Sequence, residues 1–326
     1  MLTARVGPNS IVVYRSGEAN VASIENLARA RAAIAENGYN GEMNERTAAK
    51  VRRYARSWFT ARKSAAGSID LPDKKIAEQF TFVTLTLPAI QFHSDNEIKR
   101  DALRPMLQQL GRVHGAREYL WKAEPQANGN IHFHILLDKK IPWQEVRAMW
   151  NGYMDAMGYI EKYRVAQQAR HIGGFKCNIG QLGYRSFEVQ QKAYIEGVRC
   201  GWSNPNSTDI HALNKATHVL AYITAYITKK ADRRKIEGRI WDCSNTVRDL
   251  EVLEIEADAR LMDALRGMGE AHGLKVTRLD QCTIYSGPIS QFLMNEMPNI
   301  YEQLLTHWQG QQFDTDTVAG GAARGG

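Results

Sequence analysis

The sequence predicts an α+β fold, a central antiparallel sheet flanked by helices, with helical extensions at both ends of the chain. Three observations carry this: period-two alternation of apolar residues from Phe80, two further apolar runs joined by QANGN, and helical apolar spacing on either side of them. The chain has 326 residues, room for roughly two domains at about 100–200 residues each, and enough to bury a proper core. Apolar residues make up 44% and charged residues 24%, ordinary globular usage. A mean hydropathy of −0.43 and the absence of any long uncharged apolar run argue against a membrane span.

Lys and Arg number 42 against 35 Asp and Glu, a net charge of +7 that favours a polyanionic partner. The charge is also sorted along the chain. Segment 45–64 carries Arg46, Lys50, Arg52, Arg53, Arg56, Arg62 and Lys63 against Glu45 alone, segment 229–239 is similarly basic, and 249–263 is acidic. Cys177, Cys200, Cys243 and Cys282 are far apart with no C-x-x-C pair, so reduced thiols are expected rather than a zinc knuckle or a disulfide framework. MLTARVGPNSIVVYRSG lacks the layout of a secretory signal, and a cytoplasmic location is the expectation.

Taken in order, residues 21–37 and 43–64 read as helices separated by ENGYNGE. In the second, Val51, Tyr54, Ala55 and Trp58 recur at helical spacing, leaving a basic surface for solvent or a DNA backbone. SAAGSIDLPD marks a boundary, so an N-terminal basic helical region spans 1–73 and the sheet domain 74–239. FTFVTLTLP puts Phe82, Thr84 and Thr86 on one strand face and Val83, Leu85 and Leu87 on the other. Helices are expected over 96–112 and 142–158, and strands and loops over 171–205. Residues 208–237 read as a long helix. In a helical C-terminal region at 240–308, further helices cover 249–271 and 290–308, and a disordered Gly/Ala-rich tail covers 309–326.

EYLWKAEP and NIHFHILLD flank Asn128-Gly129, a hairpin signal. Strand alternation sends His132 and His134 to one face, close enough to share a metal, and Phe133 to the other. The place of Glu124 depends on the loop. A two-residue Asn-Gly turn sets it opposite Phe133, on the wrong face, whereas a three- or five-residue loop sets it opposite His134 or His132. The longer loop is expected, giving two imidazoles and one carboxylate suited to Mg²⁺ or Mn²⁺. In VLAYITAYITKK, Tyr222 and Tyr226 share a face whether the segment is helix or strand, and Lys229 and Lys230 follow.

In this order, FVTLTLP, His-hydrophobic-His and Tyr-x-x-x-Tyr followed by Lys, the sequence resembles the HUH endonuclease superfamily. It is most similar to the two-tyrosine rolling-circle replication initiators of small single-stranded DNA phages, over roughly residues 80–232. The resemblance implies an HUH, RRM-like nuclease core over 74–239, with metal ligands at His132 and His134, supported by Thr84 and Thr86 on a neighbouring strand. Glu124 resembles the carboxylate that some initiators use in place of a third histidine. Tyr222 and Tyr226 would be nucleophiles, with Lys229 or Lys230 polarising the phosphate. The implied activity is metal-dependent, origin-specific nicking by transesterification, giving a 5′-phosphotyrosine and a free 3′-hydroxyl, then rejoining. A transposase or mobilisation relaxase shares this chemistry, and a non-catalytic DNA-binding regulator would use the same residues structurally. Implied partners are single-stranded DNA, the origin duplex and a host polymerase. No G-x-x-x-x-G-K-[ST] occurs, so a host helicase is also expected. Trp121, Trp143, Trp150 and Trp202 offer stacking surfaces, with core packing the commoner role.

Overall fold

The structure is a computed structural model that describes residues 1–15, 29, 43–65, 80–211, 234–248, 250 and 253–313. It is α+β, with two five-stranded antiparallel sheets and flanking helices. The strands are β1 (Leu2–Val6), β2 (Ser10–Arg15), β3 (Thr81–Leu85), β4 (Tyr119–Pro125), β5 (Ile131–Leu137), β6 (Thr208–His211), β7 (Trp241–Cys243), β8 (Leu253–Glu256), β9 (Lys275–Arg278) and β10 (Cys282–Ser286). The helices are α1 (Glu45–Ala65), α2 (Asp95–Ile98), α3 (Arg104–His114), α4 (Trp143–Ala156), α5 (Tyr159–Arg170), α6 (Phe187–Arg199), α7 (Asn245–Arg248), α8 (Ala259–Gly267), α9 (Ile289–Glu296) and α10 (Pro298–Phe313).

The central sheet runs β6-β3-β5-β4-β7. One of its faces buries Val83, Leu85, Trp121, Phe133 and Ile135, and Phe133 meets Trp150 of α4 edge-on at 6.2 Å. On the other face α1 covers only one end. There Trp58 of α1 meets Phe80 edge-on at 5.0 Å, and Tyr54 of α1 lies 6.0 Å from Trp241. The far end of that face carries polar side chains. Helix 95–114, expected as continuous, contains a π-helical turn over Lys99–Leu103 between α2 and α3. Pro105, which has no N–H to donate, stands at the start of α3, where the ordinary α bonding must be rearranged.

The terminal regions differ from the helical extensions expected of them. Residues 2–15 form a hairpin through Gly7, whose N–H donates to the Ser10 carbonyl, and this hairpin joins strands from the opposite end of the chain in the order β8-β1-β2-β10-β9. The sequence from 249 to 271 therefore divides into strand β8 and helix α8, with Asp258 capping Leu261 N at 2.8 Å. In 171–205, expected as strands and loops, the regular elements are a 3₁₀ turn and helix α6, capped by Ser186. Residues 208–211 are strand where the long helix 208–237 was expected to begin, and 212–233 lie outside the described residues. The expected helix 290–308 breaks at Met297, because Pro298 disfavours helical backbone in the residue before it. Helix α10 continues to Phe313, into the expected tail; 314–326, like most of 21–37, lie outside the described residues.

Helix α1 is shared between the cores of the two sheets. Ala48, Val51, Ala55, Trp58 and Phe59 enter the central one, and Ala61 enters the other beside Leu261, Phe292 and Leu304. Arg46, Lys50, Arg53 and Arg56 are exposed, as the amphipathic pattern requires, but Arg62 is not part of that surface. Its guanidinium donates to Glu118 Oε2 and Asp138 Oδ2, each at 2.7 Å, and Trp58 Nε1 donates to the same Glu118 oxygen.

One cation thus faces two buried carboxylates. Burial pushes the Asp138 carboxyl up to about 6, with the Arg62 charge working against the rise and the Glu118 charge adding to it. A folded-state pKa raised above the unfolded value gives stability that is present below the unfolded pKa and lost as the pH rises through the folded one. Replacing Asp138 with Asn should therefore gain stability relative to the parent between about pH 4 and pH 7, by up to about 3 kcal/mol. Urea melts at stepped pH values measure the difference, and a constant or shrinking gap would contradict this account.

Candidate metal centre

Strand β5 presents His132 and His134 on the sheet face that α1 leaves uncovered, and β4 supplies Glu124 directly opposite His132. Five residues, Gln126 to Asn130, separate the paired ends Pro125 and Ile131, so the longer hairpin loop is the one formed. Gly129 takes φ +84°, a left-handed conformation natural to glycine, and Asn128 Oδ1 accepts from Asn130 N at 3.0 Å. Side chains from outside the hairpin fix its exit. Gln91 Oε1 accepts from Ile131 N at 2.7 Å, and Asn130 Nδ2 donates to the Ala89 carbonyl at 2.8 Å. Arg234 bonds the Gly129 carbonyl and pairs with buried Asp95 at 2.7 Å.

Glu124 Oε1 lies 3.0 Å from His132 Nε2 and 2.9 Å from His134 Nε2. The three ligand atoms all fall within 4.8 Å of one another, a group that could hold a metal ion. The separations from the carboxylate oxygen suit neighbouring vertices of an octahedral site, about 3 Å apart for bonds of about 2.1 Å. His132 Nδ1 is buried and without a hydrogen-bond partner, a polar atom that the protein leaves unsatisfied in this state. The donor set of two borderline nitrogens and one hard oxygen fits Mn²⁺ or Mg²⁺.

The surroundings set the protonation of the ligands. Burial alone would raise the Glu124 carboxyl, but hydrogen bonds with His132 and His134 and the Lys122 charge outweigh it and hold Glu124 well below the usual carboxylate range. Burial lowers the pKa of His134, which favours the neutral imidazole that a cation requires. Thr84 Oγ1 lies 3.1 Å from His134 Nδ1, so an Nδ1–H donated to the hydroxyl leaves Nε2 with its lone pair toward Glu124. Phe82 stacks on the same ring at 5.9 Å and 9° between planes, restricting its rotation.

Lys122 was not anticipated from the sequence. Its buried ammonium is 3.0 Å from Glu124 Oε2, which leaves Oε1 for the imidazoles. The signal was present, since Lys122 and Glu124 are two apart on one strand and so share a face. Of the tryptophans, Trp121 and Trp150 pack in the core; Trp143 is 47% exposed, and its ring carries the Arg147 guanidinium at 4.4 Å. Thr86 follows β3, its hydroxyl donating to the Ser207 carbonyl at 3.0 Å. Tyr222, Tyr226, Lys229 and Lys230 lie outside the described residues, which resume at Arg234, beside the hairpin loop.

Among the described residues, no helix is long and apolar enough to cross a membrane. No curated protein and no solved structure matches the chain significantly. Residues 80–231 match the model of a family described as replication-associated protein, of the ORF2 type. The match spans both site strands, β4 and β5, together with β3 and β6 of the same sheet. By that match the stretch carrying Glu124, His132 and His134 belongs to this family of replication-associated proteins.

Proposed function

We propose that the chain initiates rolling-circle replication as a metal-dependent, origin-specific DNA nicking and rejoining enzyme. The observation that carries the reading is the convergence of Glu124, His132 and His134 within a domain of a replication-associated family. That family context favours replication over transposition or plasmid mobilisation.

A phosphodiester is anionic and repels nucleophiles, and a divalent cation supplies Lewis-acid neutralisation of a non-bridging oxygen. In this reading Glu124, His132 and His134 hold it, Thr84 orients His134, and Lys122 orients Glu124. The phenol of Tyr222 or Tyr226 attacks phosphorus and loses its proton as the bond from phosphorus to the 3′-oxygen breaks; that oxygen departs as a protonated 3′-hydroxyl. An ammonium at Lys229 or Lys230 stabilises the developing phenolate, whose ordinary pKa near 10 makes its formation at neutral pH unfavourable. Phenolate is also a competent leaving group, so a 3′-hydroxyl reverses the link and rejoins the strand. With two tyrosines, one nicks and the other attacks the regenerated origin. The freed 3′-hydroxyl primes a host polymerase, and a host helicase opens the duplex.

The direct test mixes the protein with labelled single-stranded origin oligonucleotides and Mn²⁺ or Mg²⁺, then looks for an adduct that survives denaturation. Each of Tyr222→Phe and Tyr226→Phe should retain some adduct, and the double variant should give none; an undiminished adduct from the double variant would remove both residues from the chemistry. His132→Ala should abolish the adduct while leaving salt-sensitive DNA binding in place.

A second prediction isolates the shell around the site. Thr84→Val keeps the strand's β-branched shape but removes the partner of His134 Nδ1, and should weaken Mn²⁺ binding by about 10- to 100-fold in a calorimetric titration, with an unchanged circular dichroism spectrum. Affinity equal to that of the parent would mean that Thr84 does not orient the ligand.

A further inference from the structure

Beyond the metal centre, the described residues contain a cavity of about 490 Å³ between α5, α6 and the end of β3. Four cations line it, Arg147, Arg170, Lys176 and Arg185, and none has a carboxylate partner among the described residues. The one lining carboxylate, Glu196, is held by Arg199 through bonds of 2.8 and 2.6 Å. An enclosure with several uncompensated cations is a site for an anion with more than one charged group.

Its wall is aromatic. His171 stacks on Trp202 with planes 2° apart and centroids at 5.4 Å, and Tyr194 lies 4.8 Å from His171. Trp202 is the one described non-glycine residue with positive φ, at +59°. A bulky side chain resists that conformation, which persists where the surroundings impose it. Gly197 makes the arrangement possible, since a Cβ there would stand 2.1 Å from the indole. Backbone strain and a cleared helix face both serve to place a flat ring at this wall.

The cavity also adjoins the site sheet. Thr86, one of its lining residues, follows β3, and extending the register of Thr84 with His134 by two residues sets Thr86 across from His132. Arg147 bonds Asn206, next to β6.

We propose that this cavity binds one nucleotide unit of single-stranded DNA, its phosphates on the arginines and its base against the His171, Trp202 and Tyr194 wall. Flat stacking and backbone charge together distinguish such a ligand from a simple anion. The proposal rests on the nicking reading for its strand, but its test does not use nicking.

Fluorescence anisotropy of a labelled oligonucleotide, in EDTA and over a range of salt, compares the parent with Arg170→Gln/Arg185→Gln, whose side chains lie at the exposed surface. The double variant should bind about tenfold more weakly, with a log–log salt slope reduced by about 1.4, at about 0.7 per phosphate contact on a single strand. A 5-bromodeoxyuridine oligonucleotide should photo-crosslink within residues 163–202. Unchanged affinity and slope with crosslinks elsewhere would overturn the proposal, as would a deoxynucleoside monophosphate competing as well as the strand. The adduct assay, run separately, distinguishes the two failures: adduct with no arginine dependence sinks the cavity alone, and arginine-dependent binding without adduct sinks the nicking reading alone.

Discussion

The pairing register of β4 with β5 is the constraint on which the site depends. With Glu124 opposite His132, the side chains of Lys122, Glu124, His132 and His134 share one face of the sheet. A slip of one residue would turn the carboxylate into the layer occupied by Phe133 and Trp150 and leave the imidazoles without it. The hairpin does not hold this register alone. Gln91 and Asn130 tie its exit to the segment after β3, and Arg234 joins the turn to Asp95, so three separate stretches of chain agree on one alignment.

The site face is divided between two kinds of surface. Toward the Glu118 and Asp138 end, α1 covers it with Trp58 and Phe59 and neutralises part of its charge with Arg62. Toward the hairpin end the polar groups satisfy one another. Lys122 engages one oxygen of Glu124, the imidazoles engage the other, and Thr84 engages the far side of His134. Partly buried charges are costly unless paired and hydrogen-bonded, which explains why Glu124 comes with an ammonium as well as two histidines. The arrangement restricts ligand rotation before any cation arrives, and such preorganisation lowers the cost of binding.

Much of this was legible in the sequence. Period-two alternation located β3, β4 and β5, and counting residues through QANGN showed that only a longer loop could bring Glu124 beside the histidines. Lys122 was missed because a lysine inside a strand reads as solvent-exposed, and only the geometry shows it 4% exposed against Glu124. The second sheet was missed for a different reason. Its hairpins, around GPN and LDQ, are local and readable, but the union of β1 and β2 with β8 and β10 joins opposite ends of the chain, which no window of sequence contains. The break at Pro298 was readable from the proline alone, yet apolar spacing on both sides suggested one helix. Residues 171–205 were obscured by their glycines and aromatics, whose spacing follows the cavity wall rather than a single buried face.

The central claim is that one sheet face, set by one register, gathers a cation onto Glu124, His132 and His134. Crystals grown with Mn²⁺ and measured at an X-ray energy where manganese scatters anomalously test it most directly. The account predicts a single strong anomalous peak within about 2.0–2.3 Å of His132 Nε2, His134 Nε2 and a Glu124 oxygen. A peak bound by other residues, or none at saturating Mn²⁺, would contradict it.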